Sequence, residues 1–277
     1  MSTNGILMEI IRGKWFLDFN KVESYLDLAD NFLSGQVMQE KPKIESVSSM
    51  VEVSSSGNGA NQKFGIVKMA GILTRYGGAC SYGTEDYAQL LYDSQKNSDG
   101  TVLIIDGPGG SVSAMSPIFE FARAKQKPIA VVMGTAGSAS YWTAVTLGDR
   151  LFLENAITSE VGSIGVMMTL RDFSGYFEKK GIKEHILVSD ETPDKNKLFE
   201  LVKEGKYDEV KKEHLSPLAI AFQDSVRLNR PNLIEEPGVL TGKMFMPKDA
   251  LKYGMADAIG NVNEALAYLK VKNELEN

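Results

Sequence analysis

Short runs of apolar residues recur through the middle of the chain, separated by glycine, proline or charged residues. Residues 101–106 (TVLIID), 128–133 (PIAVVM) and 150–155 (RLFLEN) have the length and the continuous apolar character of strands buried in a parallel sheet. Residues 64–73 (FGIVKMAGIL) give a further strand candidate at the start of this series. The pattern therefore predicts a set of buried parallel strands.

Segments with helical spacing of apolar residues alternate with these strands. They cover 115–122 and 138–147, and longer amphipathic stretches follow near 168–180 and 206–229. Strands that alternate with helices across short connections form right-handed βαβ units on a parallel sheet. We therefore predict an α/β fold of repeated βαβ units with a helical C-terminal part.

The first part of the chain has a different pattern. Apolar residues at helical spacing over 20–33 predict a helix, and serine, glycine and asparagine dominate 45–62. We expect an N-terminal helical segment over 1–44, a flexible linker over 45–62 and one domain over 63–277.

Composition narrows the possible partners. The formal net charge of −6 weighs against nucleic acid, because phosphate binding requires a basic surface. The single cysteine, Cys80, excludes an internal disulfide and a cysteine metal cluster. No run approaches the ~20 apolar residues of a membrane span, and the start of the chain does not resemble a signal peptide. We expect a cytoplasmic protein without a membrane span, and we expect no cofactor.

Three glycine-rich segments follow successive predicted strands. They are 106–112 (DGPGGSV), 134–142 (GTAGSASYW) and 160–166 (EVGSIGV). Ligand sites in parallel sheets form at the carboxyl ends of strands. We therefore expect the three segments to line one crevice.

The second segment places Ser138 where a strand turns into a helix. Acyl transfer requires an exposed hydroxyl and backbone N–H donors where the oxyanion develops. In the turn before Ser111, the glycines can direct the Gly110 N–H outward, and the Ala139 N–H supplies a second donor. The alternative is that Ser138 only caps the helix.

The three segments, in this order, resemble the signatures of the signal peptide peptidase A family of serine peptidases, and within it the phage head-maturation (prohead) proteases. The resemblance covers about residues 64–262 and includes the closing segment 238–261 (GVLTGKMFMPKDALKYGMADAIGN). The Clp peptidases share the Pro-Gly-Gly turn and are more distant. The resemblance implies a Clp peptidase/crotonase-like fold.

The resemblance also implies a Ser/Lys dyad. Its nucleophile falls on Ser138, and its general base on Lys195, with Lys197 as the second choice. Ser163 is expected to orient the lysine. Ser140 is an alternative nucleophile, because Ala139-Ser140 stands where the family usually has Gly-Gly.

A lysine base must lose its proton near neutral pH. Lowering the pKa from about 10.4 to about 7 disfavours the ammonium by roughly 4–5 kcal/mol, which burial under a peptide or a neighbouring subunit could supply. The two histidines, His185 and His214, lie on an apolar run and in a charged helix, so we interpret both as structural or solvated.

The expected function is that of a serine endopeptidase, with its peptide substrate bound as an added strand. The resemblance implies a homo-oligomer that processes scaffold or capsid proteins, working in the cytoplasm or inside an assembling phage procapsid. Alternatives are a cytoplasmic signal-peptide- or peptide-degrading peptidase, an inactive capsid or scaffold component, and an acyl-CoA enzyme of the wider crotonase fold.

Overall fold

The computed structural model describes residues 14–15, 43–54, 61–78, 81–170, 172–183 and 185–276. The helix predicted over 20–33 and the single cysteine, Cys80, lie outside these residues.

Ten strands are described, and most belong to one sheet. In chain order they are β1 (Lys14–Trp15), β2 (Ser48–Val53), β3 (Gln62–Leu73), β4 (Gly100–Gly110), β5 (Ile129–Gly137), β6 (Arg150–Leu153), β7 (Glu160–Gly162), β8 (Met167–Met168), β9 (Met244–Phe245) and β10 (Ala258–Ile259). The main sheet has the order β10-β6-β5-β4-β3-β2, in which only β2 is antiparallel to its neighbour. Beyond the end of β6, β7 pairs with the last residues of β5 and with β9.

Helices cover both faces of this sheet. They are α1 (Thr84–Asn97), α2 (Met115–Ala124), α3 (Ala139–Leu147), α4 (Ser174–Lys179), α5 (Lys197–Lys203), α6 (Tyr207–Val210), α7 (Ser216–Asn229), α8 (Pro247–Lys252) and α9 (Val262–Glu276). Successive strand residues face opposite sides, so Val131 and Met133 pack in the core beneath α1–α3, whereas Ala130 and Val132 pack against α9. This arrangement confirms the predicted α/β fold of βαβ units with a helical C-terminal part, the Clp peptidase/crotonase-like fold that the resemblance implies.

The expected flexible linker over 45–62 is wrong in part. Residues Ser48–Val53 form β2, which pairs antiparallel with β3 from Val53↔Gln62 to Ser48↔Val67. Its serines resemble linker composition, but Val51 and Val53 are half-buried and Glu52 between them is exposed, the alternation of an edge strand. The sheet therefore begins fifteen residues earlier than the expected boundary at 63.

The helical part also differs in detail from the prediction. The predicted stretch 206–229 is helical from Tyr207 onward, through α6, a π-helical turn (Lys211–Leu215) and α7. The stretch 168–180 is helical only over Ser174–Lys179, and α1 was not predicted. Among the described helices, none is both long enough and apolar enough to cross a membrane.

Candidate active site

Ser138 lies at the corner between β5 and α3, in a strained backbone conformation. Its φ of 53° and ψ of −119° fall in a region that residues other than glycine rarely occupy. Such a conformation costs about 1–3 kcal/mol and persists only where the surroundings enforce it. A serine on a strained strand-to-helix turn is the arrangement of a nucleophile elbow.

The three glycine segments meet at this corner, as the sequence predicts. The Ser138 N–H donates to the Gly162 carbonyl oxygen at 2.7 Å, which joins the second segment to the third. The first segment packs equally closely, because a Cβ on Gly137 would lie 2.8 Å from the Pro108 carbonyl oxygen. The segments therefore form one site at the carboxyl end of the sheet.

Two glycines allow this close packing. A Cβ on Gly110 would lie 1.8 Å from the Leu73 carbonyl oxygen, so no side chain fits there. Gly162 has φ +133°, and a Cβ on it would lie 2.4 Å from the Lys243 carbonyl oxygen. The backbone around Ser138 is thus held by contacts that only glycine permits.

The Ser138 hydroxyl is not used to cap the helix. It makes no capping hydrogen bond, and its Oγ has no hydrogen-bond partner among the described residues. Ser138 therefore occupies the N-cap position of α3 without using its side chain as a cap. A buried hydroxyl without a partner costs about 1–3 kcal/mol, so the fold retains this group at a cost to its stability.

The expected exposure of this hydroxyl is wrong. Ser138 is 0% exposed in the single chain, and Ala139 beside it is equally buried. A peptide can reach the Ser138 Oγ only after the surrounding residues move.

The two proposed oxyanion donors lie on either side of the same corner. Ala139 is the first residue of α3, where backbone N–H groups have no partner within the helix and the helix dipole is positive. Gly110 ends β4 opposite Leu73, next to the Pro108 turn that contacts Gly137. The assignment of these donors stays a prediction.

Ser140, the alternative nucleophile, is also buried. Its Oγ has no hydrogen-bond partner among the described residues and lies 3.2 Å from the position of a Cβ on Gly107. Ser140 lies within α3 and has no strained backbone of the kind that Ser138 has. The geometry favours Ser138.

Neither candidate lysine forms a hydrogen bond with the Ser138 Oγ in this conformation. Lys195 is exposed on a turn, where its N–H donates to the Thr192 carbonyl oxygen at 3.1 Å. Lys197 begins α5 and pairs with Asp194 at 2.9 Å, with half of its side chain exposed (50%). The hydrogen bond that the Lys197 ammonium donates to Asp194 raises the pKa of Lys197, whereas a general base needs a lowered pKa. That a lysine acts as the base, and that this lysine is Lys195, stay predictions.

Ser163 lies close to the nucleophile through the backbone. It follows Gly162 directly, has a positive φ of 55°, and its N–H donates to the Lys243 carbonyl oxygen at 3.0 Å. His185 is exposed in a segment without regular structure, and His214 lies in the π-helical turn. Neither histidine bonds the Ser138 Oγ, which has no partner among the described residues.

Two aromatic residues after Ser138 hold α3 in place, a role that the sequence did not reveal. Tyr141 is buried and its hydroxyl donates to the Met255 carbonyl oxygen at 2.8 Å, and burial raises its pKa strongly. Trp142 stacks on Phe222 of α7, with ring centroids 4.4 Å apart. The Tyr-Trp pair marks these contacts in the sequence, but their partners lie far along the chain.

Known proteins provide three comparisons. A protein of Methanocaldococcus jannaschii named as a candidate protease is 30% identical over 191 residues, which cover 66% of this chain and 60% of that protein. The head-tail preconnector protein GP5 of Enterobacteria phage P21 is 25% identical over 185 residues, covering 65% of this chain and 36% of that protein. A solved structure of a membrane-bound stomatin-specific protease with a substrate peptide aligns with a TM-score of 0.44 at 15% identity, covering 73% of this chain and 77% of that chain. The chain thus spans between about a third and two thirds of the length of these two curated relatives.

The chain also matches the model of a protein family, and this match includes most of the candidate site. Residues 121–276, more than half of the chain, match peptidase family S49. The matched part includes the second and third glycine segments, Ser138 and the closing segment. The chain therefore belongs to peptidase family S49.

Proposed function

We propose that this chain is a serine endopeptidase whose nucleophile is the Ser138 Oγ. The observation that carries the proposal is the strained backbone of Ser138 at a strand-to-helix corner, with a hydroxyl that has no partner among the described residues. Membership of peptidase family S49 supports it. A strained residue with an unused reactive group is typical of a catalytic position.

In the proposed reaction, the Ser138 Oγ bonds to the carbonyl carbon of the scissile peptide bond as a lysine takes its proton. The Gly110 and Ala139 N–H groups stabilise the oxyanion that develops. The C–N bond then breaks, and the lysine returns the proton to the leaving amine. Water, deprotonated by the same lysine, hydrolyses the acyl-enzyme, and Oγ recovers its proton.

The base in this scheme is Lys195, with Lys197 as the alternative and Ser163 orienting the amine. Either lysine must move from its exposed position and lose water contacts before it can act. A bound peptide or a neighbouring subunit would provide the burial that lowers the lysine pKa. Catalysis therefore requires a rearrangement that opens Ser138 and brings in the amine together.

The proposed substrates are scaffold or capsid proteins, bound as extended strands during assembly of a phage head. The likeness to a phage head-tail preconnector protein supports this setting. In this role the chain works as a homo-oligomer within the assembling procapsid. A peptidase that degrades signal peptides or other peptides in the cytoplasm would use the same chemistry on different substrates.

An inactive capsid or scaffold component is the second candidate function. The buried Ser138 and the ion pair between Lys197 and Asp194 favour it. If Ser138 never becomes accessible, the strained geometry of the corner serves only to shape the fold.

Hydrolysis of unfolded casein by four purified proteins separates the candidates. We expect fragments with the wild type, none with Ser138→Ala, and a loss with Lys195→Ala that Lys197→Ala does not share. The expected loss for Ser138→Ala is on the order of 10⁴–10⁶-fold in kcat. Equal, residual fragmentation by all four proteins would support the inactive component.

A further inference from the structure

A segment from the start of the chain pairs with the backbone that continues from the third glycine segment. Lys14–Trp15 (β1) pairs antiparallel with Met167–Met168 (β8), in the register Lys14↔Met168 and Trp15↔Met167. The pairing forms a separate two-stranded sheet beside the main one. The chain thus pairs its own strand β1 with the edge of β8, the strand that follows Ser163 in the sequence.

This edge begins close to the nucleophile. Gly162 accepts the Ser138 N–H at 2.7 Å, and the chain reaches Met167 five residues later. Five extended residues span at most about 18 Å. A peptide of modest length that lies across the Ser138 Oγ can therefore also pair with this edge.

A pocket borders the same edge. Its volume is about 480 Å³, within the range of small-ligand clefts, and its walls are residues 163–167, Ala219 and Gln223 of α7, and residues 240–242. Most of the lining is apolar, with Ile164, Val166 and Leu240 among it. Strand-addition sites combine a free backbone edge, which gives affinity, with a side-chain pocket beside it, which gives specificity.

We propose that Met167–Met168 and this pocket form a docking edge for the peptide substrate, and that the segment holding Lys14–Trp15 is an internal competitor for that edge. The proposal rests on the proposed peptidase function. The N–H and C=O groups of one strand edge pair with one added strand at a time, so a substrate that pairs with the β8 edge now facing β1 must displace the internal segment. A tethered segment competes at an effective concentration of about millimolar, which is in the range of weak peptide substrates.

A disulfide across the paired strands tests this competition. Directly opposed residues of antiparallel strands have Cα atoms about 4.5–5.5 Å apart, and disulfides accept that separation. We combine Lys14→Cys and Met168→Cys in a Cys80→Ser background, so that no third thiol is present. Peptide hydrolysis and fluorophosphonate labelling of Ser138 are then measured on the oxidised and the reduced forms of the same protein.

We expect the oxidised form to lose peptide hydrolysis by about tenfold or more while the small fluorophosphonate still labels Ser138, and the reductant to restore hydrolysis. Lys14→Cys alone, treated identically, controls for the oxidant. Failure of the disulfide to form, or a disulfide that leaves hydrolysis unchanged, would contradict the proposal that β1 competes with the substrate for β8. Absence of labelling in every protein, including the wild type, would instead reject the peptidase function.

A second variant tests the same competition without a cross-link. Proline cannot donate a hydrogen bond to a strand ladder, so Trp15→Pro weakens the internal pairing. We expect a lower KM for peptides with kcat unchanged, because only competition for the edge is removed. An unchanged KM would contradict the proposal.

Discussion

Ser138 combines two features that each lower the stability of the folded chain. Its backbone is held at a positive φ, and its buried hydroxyl has no partner among the described residues. Each feature costs about 1–3 kcal/mol. Retention of such a destabilising group is typical of functional sites, where residues that are needed for activity lower the stability of the fold.

Removing the hydroxyl should therefore stabilise the protein. We expect Ser138→Ala to raise the free energy of unfolding by about 1 kcal/mol, since it removes an unpaired buried polar group. Urea denaturation followed by circular dichroism measures the change, and Ser140→Ala, which removes a second buried hydroxyl without a partner among the described residues, should change stability in the same direction. A loss of stability in Ser138→Ala would show that the hydroxyl has a structural partner after all.

The pH dependence of hydrolysis identifies the base. A lysine base acts in its neutral form, so kcat/KM should rise as pH rises through its pKa. Asp194 raises the pKa of Lys197, so Asp194→Asn should lower that pKa. Because Lys195 is the proposed base, we expect the rising limb of the pH profile to stay in place. A shift of the limb to lower pH in Asp194→Asn would assign the base to Lys197.

Two glycines in one segment provide a test at the scale of structural elements. Gly162 joins β7 to the nucleophile corner and leaves no room for a Cβ, whereas a Cβ on Gly165 would meet nothing within 4 Å. We expect Gly162→Ala to destabilise the fold by about 2 kcal/mol or more, because it combines strain with a backbone clash. Gly165→Ala should change stability by less than about 0.5 kcal/mol.

Thermal unfolding of the two glycine variants measures this difference. Gly162→Ala should also reduce peptide hydrolysis, since the Gly162 carbonyl holds the Ser138 N–H. Equal melting temperatures for the two variants would mean that β7 does not fix the corner.

The elements differ in how well their sequence predicts them. Strands β4 and β5 are continuous apolar runs buried on both faces, so pattern alone finds them. Strand β2 was not predicted from the sequence, because an edge strand is half-exposed and has no continuous apolar run. Its serines are also typical of linkers. The lysine region is the least predictable, because Lys195 lies on an exposed turn that has no regular hydrophobic pattern.

The candidate site, like the fold, was predictable from the sequence only in part. The convergence of three glycine segments follows from the strand order of a parallel sheet, and the structure confirms it at Gly162 and Pro108. The burial of Ser138 was not predictable, because it depends on how segments that are separate in the sequence meet at this corner. The contacts of Tyr141 and Trp142 join residues about 80–115 positions apart, beyond the reach of local sequence patterns.

At the scale of the whole molecule, an apolar surface suggests assembly. Large apolar side chains are exposed in the part of the chain that precedes the candidate lysines. Among them are Phe173 (54%), Ile186 (52%) and Leu187 (94%). Apolar side chains clustered on a surface are typical of protein interfaces. Assembly through this segment would bury it and would bring the lysines into a drier environment.

Sedimentation velocity tests the assembly. We expect the wild type to sediment as an oligomer, and Ile186→Ser combined with Leu187→Ser to shift it toward the monomer. Leu228→Ser, which changes a leucine that is 81% exposed on α7, is the matched control and should leave the mass unchanged. A monomeric wild type would contradict the proposed homo-oligomer.

The most direct measurement is the site of fluorophosphonate modification, found by mass spectrometry of the digested protein. The account predicts one adduct, on Ser138, in the wild type and in Ser140→Ala, and no adduct in Ser138→Ala. An adduct on Ser140, or a wild type that never reacts, would contradict the claim that Ser138 is the nucleophile.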